Sequence, residues 1–497
     1  MNMRKLNRSA RLSALLLAVV LVVSQAATSV RADDIPYDTY NYDYREYIHY
    51  TPAAYVPDKI LYGRDLSYNG ESIGNFKTPQ DMCKSPDGNV LVADTGNNRV
   101  VVLDAEMKNV ISVITTFDNN GKEDKLAAPY GVCVSEKGNI YIADSNNKRV
   151  VVLDPEYNLK QIVSDPKSES LEAGFVFTPW KVAVDYADRI YVIAQNMFEG
   201  IMVFETNGQF TGFFGTISVT ISLWERFWRR IATKEERANQ KLFIPTEFTG
   251  IDVDPEGFIY ATNITDDGIQ GVRRLNPSGQ DVIKKGENKN LGGDLQISGT
   301  GDYYGPSQFT DVVYWDKGIY SCLDRRRGRV FTYDHEGNLL YIFGGLGTQV
   351  GTFQMPVAIE QVANNICVLD ATMAAIVTFR VTEYGDKIKT AVGLRFDGDE
   401  ALAVDVWTRV LELDENNELA NTGIGKAYLS AGDYKKAMKY LKLGMNRDYY
   451  SIAYKRYRND VLKKNAGYFL TGVVILIAAI LLFRRFRKKR KGVIDDD

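Results

Sequence analysis

Short apolar segments alternate with polar turns from about residue 60 to residue 396. Residues 78–104 and 128–154 align without a gap at a spacing of fifty. They contain the apolar segments NVLVAD and NIYIAD, respectively, and both contain RVVVLD. Apolar runs of four to six residues between turn residues predict short β-strands. A fourth, more polar segment, such as LLYIFG after Asn338, completes a unit. A repeating unit of four short strands predicts the blade of a β-propeller.

Weaker copies of this unit begin near Pro179, Pro245, Gln308 and Phe353, which makes six units in all. The segments NVLVADTGNNRVVVLD and NIYIADSNNKRVVVLD resemble the NHL repeat family, and the resemblance extends roughly from Ile60 to Phe396. It implies a mainly β fold with a six-bladed NHL-type β-propeller over residues 60–397. We expect the segment ILYG near Ile60 to complete the last blade and close the ring.

An Asp and an Arg recur at the end of the second strand of the first two units. These residues are Asp94 and Arg99, and Asp144 and Arg149. An Asp followed by Asn residues and an Arg can hold its own loop by hydrogen bonds and a charge-assisted pair. We therefore expect these four residues to be structural parts of the repeat.

The N-terminus has the pattern of a secretory signal peptide. Basic residues precede an apolar run from Leu12 to Val23, and small residues follow. Residues 1–32 are predicted to form this peptide. Cleavage after Ala26, cleavage after Ala32 and an uncleaved signal anchor all remain open.

A second apolar run, residues 466–483, carries no charge and predicts one transmembrane helix, since eighteen residues rise about 27 Å. Seven basic residues follow directly within the tail 484–497. The positive-inside rule puts this tail in the cytoplasm and the bulk of the chain outside it. We expect a single-pass protein of a plasma membrane, with a bacterial origin.

Residues 398–465 are predicted to form a short all-α stalk. Ala403, Trp407 and Val410 lie thirty-four residues before Ala437, Leu441 and Gly444, a spacing that resembles TPR units. The resemblance implies protein binding. The candidate contact surface of this stalk is Trp407, Tyr428 and Tyr434.

Two further segments have an unusual composition. An insertion at residues 216–242 has an amphipathic helical pattern, whose apolar face is a candidate contact with a partner or a membrane; packing on the propeller is the alternative. That face consists of Leu223, Trp224, Phe227, Trp228 and Ile231. The Tyr-rich arm 33–59 could bind a ligand, but the favoured interpretation is an extended arm that wraps the propeller or stalk.

Composition limits the chemistry. The formal net charge of −3 does not favour nucleic-acid binding. His49 and His335 are the only histidines, and the four cysteines show no ligand spacing. We predict no catalytic residues, no metal ligands and no cofactor. Calcium would enter only if the chain were an enzyme similar to the six-bladed propeller lactonases.

The predicted function is that of a non-enzymatic scaffold that docks envelope or membrane-complex proteins through its propeller and TPR-like surfaces. The alternatives are a glycan- or peptide-binding module and a metal-dependent lactonase-like enzyme. Candidate contacts on the propeller face are near the starts of the innermost strands: Gln80, Tyr130, Trp180 and Glu247.

Overall fold

The computed structural model describes residues 35–492, apart from 165, 169–170, 172–173, 216–246, 265–269, 287–290 and 296–304. The predicted signal peptide and the whole 216–242 insertion, including its five candidate contacts, lie outside the described residues. The chain divides into two compact units after Asp386. The first unit is rich in strands and the second is helical.

The first unit is a six-bladed β-propeller, in which each blade is an antiparallel sheet. Blade 1 consists of β6 (Asp81–Lys84), β7 (Val90–Asp94), β8 (Arg99–Leu103) and β9 (Val110–Ile114). Blade 2 consists of β12 (Pro129–Val134), β13 (Ile140–Asp144), β14 (Arg149–Leu153) and β15 (Leu159–Ser164). Blade 3 consists of β16 (Pro179–Val184), β17 (Ile190–Ala194), β18 (Ile201–Phe204) and β19 (Phe210–Phe214).

The remaining blades follow the same plan. Blade 4 consists of β20 (Phe248–Val253), β21 (Ile259–Asn263) and β22 (Val272–Leu275). Blade 5 consists of β23 (Phe309–Asp316), β24 (Ile319–Asp324), β25 (Arg329–Tyr333) and β26 (Leu339–Phe343). Blade 6 consists of β27 (Pro356–Val362), β28 (Asn365–Asp370) and β29 (Ala375–Val381), and its fourth strand is β3 (Tyr55–Tyr62). Two small hairpins, β4 (Ser67–Tyr68) with β5 (Glu71–Ser72) and β10 (Thr116–Asp118) with β11 (Glu123–Lys125), lie in connections.

The ring closes by pairing strands from its two ends. Strand β3, from the N-terminal side, pairs antiparallel with β29, the last strand of the propeller, so that Ile60 lies opposite Val377. This pairing covers a sheet edge that would otherwise be open. The predicted role of the segment near Ile60 is therefore confirmed. The closing strand begins at Tyr55, five residues before the predicted start of the propeller.

The hydrophobic core of the propeller lies between neighbouring blades. Val100 of blade 1 and Val132 of blade 2 share one cluster, and Val152 of blade 2 and Val192 of blade 3 share the next. Both faces of each sheet are therefore covered, which explains why the second and third strands are almost wholly apolar. A blade by itself would leave these faces exposed to water.

The Tyr-rich arm forms a hairpin of β1 (Tyr40–Tyr42) and β2 (Ile48–Tyr50) that extends the sheet of blade 5. Tyr40 and Tyr42 are buried and both donate hydrogen bonds to Asp294. Tyr47 and Tyr50 are exposed. The arm therefore packs on the propeller through alternate residues, as a strand with one buried face does.

The second unit consists of helices. These are α1 (Glu383–Phe396), which begins just before the boundary between the units, α2 (Glu400–Leu413), α3 (Glu418–Ser430), α4 (Tyr434–Leu443) and α5 (Arg447–Gly492). Helix α1 lies within the range 60–397 that the sequence assigns to the propeller. Helix α5 is continuous through both the predicted stalk end and the predicted membrane segment. It is also the one helix in the described part of the chain that is long and apolar enough to cross a membrane.

Candidate functional site

The recurring Asp and Arg hold the loop after the second strand of their blades. In blade 2, Asp144 is fully buried, and its carboxylate accepts hydrogen bonds from Arg149 Nε at 2.8 Å and from the Ala127 amide at 2.7 Å. In blade 1, Asp94 accepts from Arg99 Nε at 2.7 Å in the same way. Each Asp thus joins its loop to the segment that leads into the innermost strand, which is a structural role.

The innermost strands meet around the axis and expose corresponding residues to one another. Strand pairing shows that Asp81 of blade 1, which lies opposite Ala93, matches Gly131 of blade 2, which lies opposite Ala143. Lys181, Gly250, Asp311 and Ala358 occupy this position in blades 3 to 6. Charged residues therefore alternate with small ones around the axis.

The small residues are required by close approach of the next blade. A Cβ atom added to Gly131 would lie 2.4 Å from the Trp180 carbonyl oxygen, and one added to Gly250 would lie 2.5 Å from the Asp311 Cα. Real Cβ atoms essentially never come this close to backbone. Blades 2 and 4 can therefore carry only glycine at this level. The absence of their side chains leaves room at the axis for the charged side chains of blades 1, 3 and 5.

Lys181 joins three alternate blades across the axis. Its Nζ lies 2.5 Å from Asp81 Oδ1 and 3.4 Å from Asp311 Oδ1, and all three side chains are buried. The other oxygen of each carboxylate accepts a backbone hydrogen bond from the following blade, from Val132 at 2.9 Å and from Ile359 at 3.0 Å. The three side chains, called here the axial triad, close the channel at this level.

Burial and mutual attraction set the charges of the axial triad. Burial raises the pKa of Asp81 and raises that of Asp311 to about 7, although Lys181 opposes both rises. Burial by itself would lower the pKa of Lys181, but the two carboxylates raise it above its ordinary value. The ammonium group is therefore charged at neutral pH, whereas the raised pKa values favour protonation of the two aspartates.

The next level along the channel combines thiols and acids. Corresponding positions two residues further along the strands hold Cys83, Cys133, Asp252 and Glu360. Asp252 accepts a hydrogen bond from the Tyr314 amide at 2.6 Å, and Glu360 accepts one from the Lys84 amide at 3.0 Å. Burial, followed by the charge of Glu360, raises the pKa of Asp252 to about 8. The sequence analysis missed this level as well as the axial triad.

A pair of aromatic side chains lies on the opposite side of the axial triad. Tyr130 and Trp180, at the second positions of their strands, stack with ring centroids 5.4 Å apart and an angle of 12° between the rings. Both are half-buried, as is Gln80 at the same position of blade 1. Burial raises the pKa of the Tyr130 hydroxyl above its ordinary value. The structure thus brings three of the four predicted propeller-face residues to one level.

Glu247 does not belong to this level, which corrects the prediction. Phe248 pairs with Asn263 as Pro129 pairs with Asp144, so Thr249 occupies the position that matches Tyr130. The sequence alignment had started this unit at Pro245, three residues too early. The blade lacks a proline at the true start, and strand pairing sets the register instead.

The stacked rings of Tyr130 and Trp180 and the neighbouring axial triad are called here the aromatic cup, with the rings as its wall and the triad as its floor. Such a cup can hold a polar ligand that has a flat apolar face, because stacking and a few fixed polar groups orient such a ligand. Within the described residues, no group of three or more His, Cys, Asp or Glu side chains is placed to hold a metal ion.

Trp407, a candidate for the TPR-like surface, is buried within the helical unit at 2% exposure, so its assignment as a surface contact is wrong. Its indole packs against Gly423 of α3, where an added Cβ would lie 2.4 Å from Nε1. Tyr428 and Tyr434 are half-buried, and Tyr428 stacks on Tyr440. The TPR-like character itself stays a prediction.

The family model described as "NHL repeat" matches residues 76–103 and 126–153, in blades 1 and 2. The protein is thus a six-bladed β-propeller that contains NHL repeats. No curated protein sequence matches the chain.

Three solved structures illustrate the similarity of fold. A streptogramin B lyase has 10% identity and a TM-score of 0.37, over 62% of this chain and 94% of its own. A catalytically inactive virginiamycin B lyase from Staphylococcus aureus with quinupristin has 11% identity and a TM-score of 0.39, over 69% and 95%. A protein of unknown function from Bacteroides thetaiotaomicron has 13% identity and a TM-score of 0.41, over 65% and 76%.

This comparison overturns the prediction that the chain is not an enzyme. Two of the three structures are lyases, which are enzymes. The prediction relied on the scarcity of histidine and on the finding that Glu247 is the only acidic residue among the candidates near the strand starts. That reasoning was incomplete, because the channel also holds a buried lysine and four carboxylates that only the strand register brings together.

Proposed function

We propose that this protein is a membrane-anchored propeller that binds a glycan or a peptide in the aromatic cup and so holds a partner at the membrane. The observation that carries the proposal is the half-exposed Tyr130–Trp180 stack above the closed axial triad. A flat aromatic wall next to a charged floor suits a sugar ring or a planar side chain. Gln80 can orient the polar groups of the same ligand.

The anchor supports a role at a membrane surface. Helix α5 contains an uncharged apolar run, and basic residues follow it directly. Together with the signal-peptide pattern, this favours a propeller outside the cytoplasm and a C-terminal tail inside it. The helical unit, with its resemblance to TPR repeats, offers a second surface for a protein partner.

Substitution of Trp180 tests the cup. Glycan and peptide arrays with the full chain in detergent identify a ligand, and titration calorimetry then measures its affinity. Trp180→Ala is expected to weaken binding about tenfold or more, because a central aromatic contact is lost. Tyr186→Ala is the matched control, since Tyr186 is exposed in the turn that follows the same inner strand. Equal affinities for both variants would rule out the cup as the binding site.

Crosslinking mass spectrometry on intact membranes tests the scaffold role, with the chain tagged at its C-terminus. We expect crosslinks from the propeller or the helical unit to another membrane or envelope protein. Crosslinks confined to the chain itself would contradict this role. Protease protection on sealed vesicles tests the orientation in parallel, and a tag that is cleaved from the propeller side would contradict the proposed topology.

The raised pKa values favour a second candidate, acid–base catalysis in the channel. Asp311, with a pKa of about 7, and charged Lys181 lie together at the floor of the cup. Groups poised near neutrality can both accept and donate protons. If the cup ligand is turned over, Asp311→Asn should remove turnover while binding persists. Turnover that survives this substitution would exclude Asp311 as the acid or base.

A further inference from the structure

Charge is distributed very unevenly along the chain. Residues 33–433 contain 58 acidic and 38 basic residues, whereas residues 434–464 contain ten basic and only two acidic ones. This basic segment consists of α4 and the part of α5 that precedes the apolar run. The modest net charge of the whole chain conceals this contrast.

The basic side chains of this segment face solvent. All ten are exposed in the helical unit. They are Lys435, Lys436, Lys439, Lys442, Arg447, Lys455, Arg456, Arg458, Lys463 and Lys464. The two acids are Asp448 and Asp460, and the flanking Asp433 lies 3.4 Å from Lys436 Nζ. The positive charge is therefore largely uncompensated within the segment.

The continuous helix fixes the depth of these charges relative to a membrane. At 1.5 Å per residue, Lys464 is about 3 Å, Arg458 about 12 Å and Arg456 about 15 Å from the start of the apolar run at Ala466. Lys435 of α4 lies over the ring of Tyr457, with 5.7 Å from Nζ to the ring centroid. That ring is nine residues, or about 14 Å, from the same point.

These depths match the reach of an anionic lipid surface. The headgroup layer extends about 5–7 Å beyond the hydrocarbon on each side, and screening allows a further reach of about 8 Å at physiological salt. Tyr468, exposed at the start of the apolar run, also suits the interface. Five basic residues fall within this zone, and we call them the headgroup cluster: Lys435, Arg456, Arg458, Lys463 and Lys464.

We propose that the headgroup cluster binds anionic phospholipid headgroups of the leaflet on the propeller side. The contact holds the helical unit against the membrane in addition to the apolar anchor. The inference rests on the proposed membrane anchor. An acidic protein is the competing partner, but five of the ten basic residues lie within the eleven residues before the apolar run, which favours the lipid surface.

Hydrogen exchange in nanodiscs tests the contact. The full chain is placed in nanodiscs of phosphatidylcholine alone and in nanodiscs that also contain 30% phosphatidylglycerol. Amide exchange is then followed by mass spectrometry. Phosphatidylglycerol is expected to slow exchange in residues 434–464 by about threefold or more, because several basic contacts restrain local opening. Added salt at 0.5 M should remove the effect.

Two variants separate charge from structure. Changing all five cluster residues to Gln should abolish the effect of phosphatidylglycerol. Exchanging Lys for Arg, and Arg for Lys, at the same five positions keeps the charge and should preserve the effect. Identical exchange with and without phosphatidylglycerol, in a chain that stays in the nanodisc, would overturn the headgroup contact while leaving the anchor intact.

Two other outcomes of the nanodisc experiment can be distinguished from the loss of the headgroup contact alone. A chain that does not remain with the nanodisc would overturn the anchor and the headgroup contact together. If exchange in residues 434–464 is slow in native membranes but is not slowed by phosphatidylglycerol in nanodiscs, the partner of the headgroup cluster is an acidic protein and not a lipid.

Discussion

At the scale of single residues, burial decides how much an ion pair matters. Lys181 and Lys137 each place Nζ 2.5 Å from an Asp oxygen, but the Lys181 side chain is 8% exposed and that of Lys137 is 61% exposed. Removing a buried cation leaves its carboxylates without compensation in a medium of low polarity. An ion pair of the same length at the surface contributes little to stability, because water and salt screen the charges.

The variant Lys181→Met is therefore expected to reduce the free energy of unfolding by about 3–5 kcal/mol. Lys137→Met is the matched control and should change it by less than about 1 kcal/mol. Chemical denaturation of the full chain in detergent measures both. Adding Asp81→Asn and Asp311→Asn to the Lys181 variant should restore much of the loss, because no uncompensated charge then remains. Equal effects of the two lysine variants would contradict a buried axial triad.

The acids of the channel predict the dependence of stability on pH. The pKa of Asp252 is about 8 in the folded chain, above the value of about 4 expected after unfolding. Between these values the folded state binds more protons at Asp252, so the contribution of Asp252 to stability is greatest below about pH 4 and falls as the pH rises towards 8. Asp252→Asn removes this contribution and should flatten the decline.

Thermal unfolding from pH 5 to pH 8 measures the effect on Asp252→Asn and on Asp87→Asn. Asp87, an exposed turn residue, is the control and should leave the slope unchanged. A slope as steep in Asp252→Asn as in the unmodified chain would show that Asp252 does not retain its proton in the folded state.

At the scale of elements, closure of the ring depends on one strand from the N-terminal side. Leu61 of β3 is buried between blades 6 and 1, in the cluster that also contains Ile376 and Val92. Leu61→Ala should reduce the free energy of unfolding by about 2–4 kcal/mol, because it leaves a cavity where the ring closes. Lys59→Ala, an exposed neighbour on the same strand, should have little effect.

Hydrogen exchange locates the effect of Leu61→Ala. Amides of β29, the partner of β3, should exchange faster, whereas those of blade 3 should change least. A uniform change in all blades would indicate that the ring unfolds as one unit and not from its closure.

The repeats were predictable because their signals are local. Asp144, Asn147 and Arg149 form one loop within six residues, so a single repeat contains the whole pattern. The axial triad could not be found in this way, because Asp81 and Asp311 are 230 residues apart. Only the strand register aligns them, and the register of blade 4 has no proline to mark it. A signal did exist in the alternation of charged and small residues at one position of all six repeats.

Helix α1 was predictable but was not predicted. Tyr384, Ile388, Ala391 and Val392 are buried and recur at helical spacing. The segment was assigned to the propeller because the resemblance to NHL repeats was taken to extend to Phe396. Conversely, the buried position of Trp407 depends on the contact between α2 and α3, which helical spacing alone does not decide.

At the scale of the whole molecule, two units bury separate sets of side chains. Val152 and Val192 belong to the propeller, whereas Ala437 and Leu441 form a cluster of the helical unit. Local stability follows local burial, so a cavity in one unit should act first on the amides of that unit.

Trp407→Ala tests this division. The indole is 2% exposed, so its removal should reduce the stability of the helical unit by about 3–5 kcal/mol. Hydrogen exchange of the full chain should become faster in α2 and α3, while β13 of the propeller should exchange as before. Leu402→Ala, at an exposed position of the same helix, is the matched control and should leave both regions unchanged. Faster exchange in β13 after Trp407→Ala would mean that the two units unfold together, because the loss of one core would then have destabilised the other.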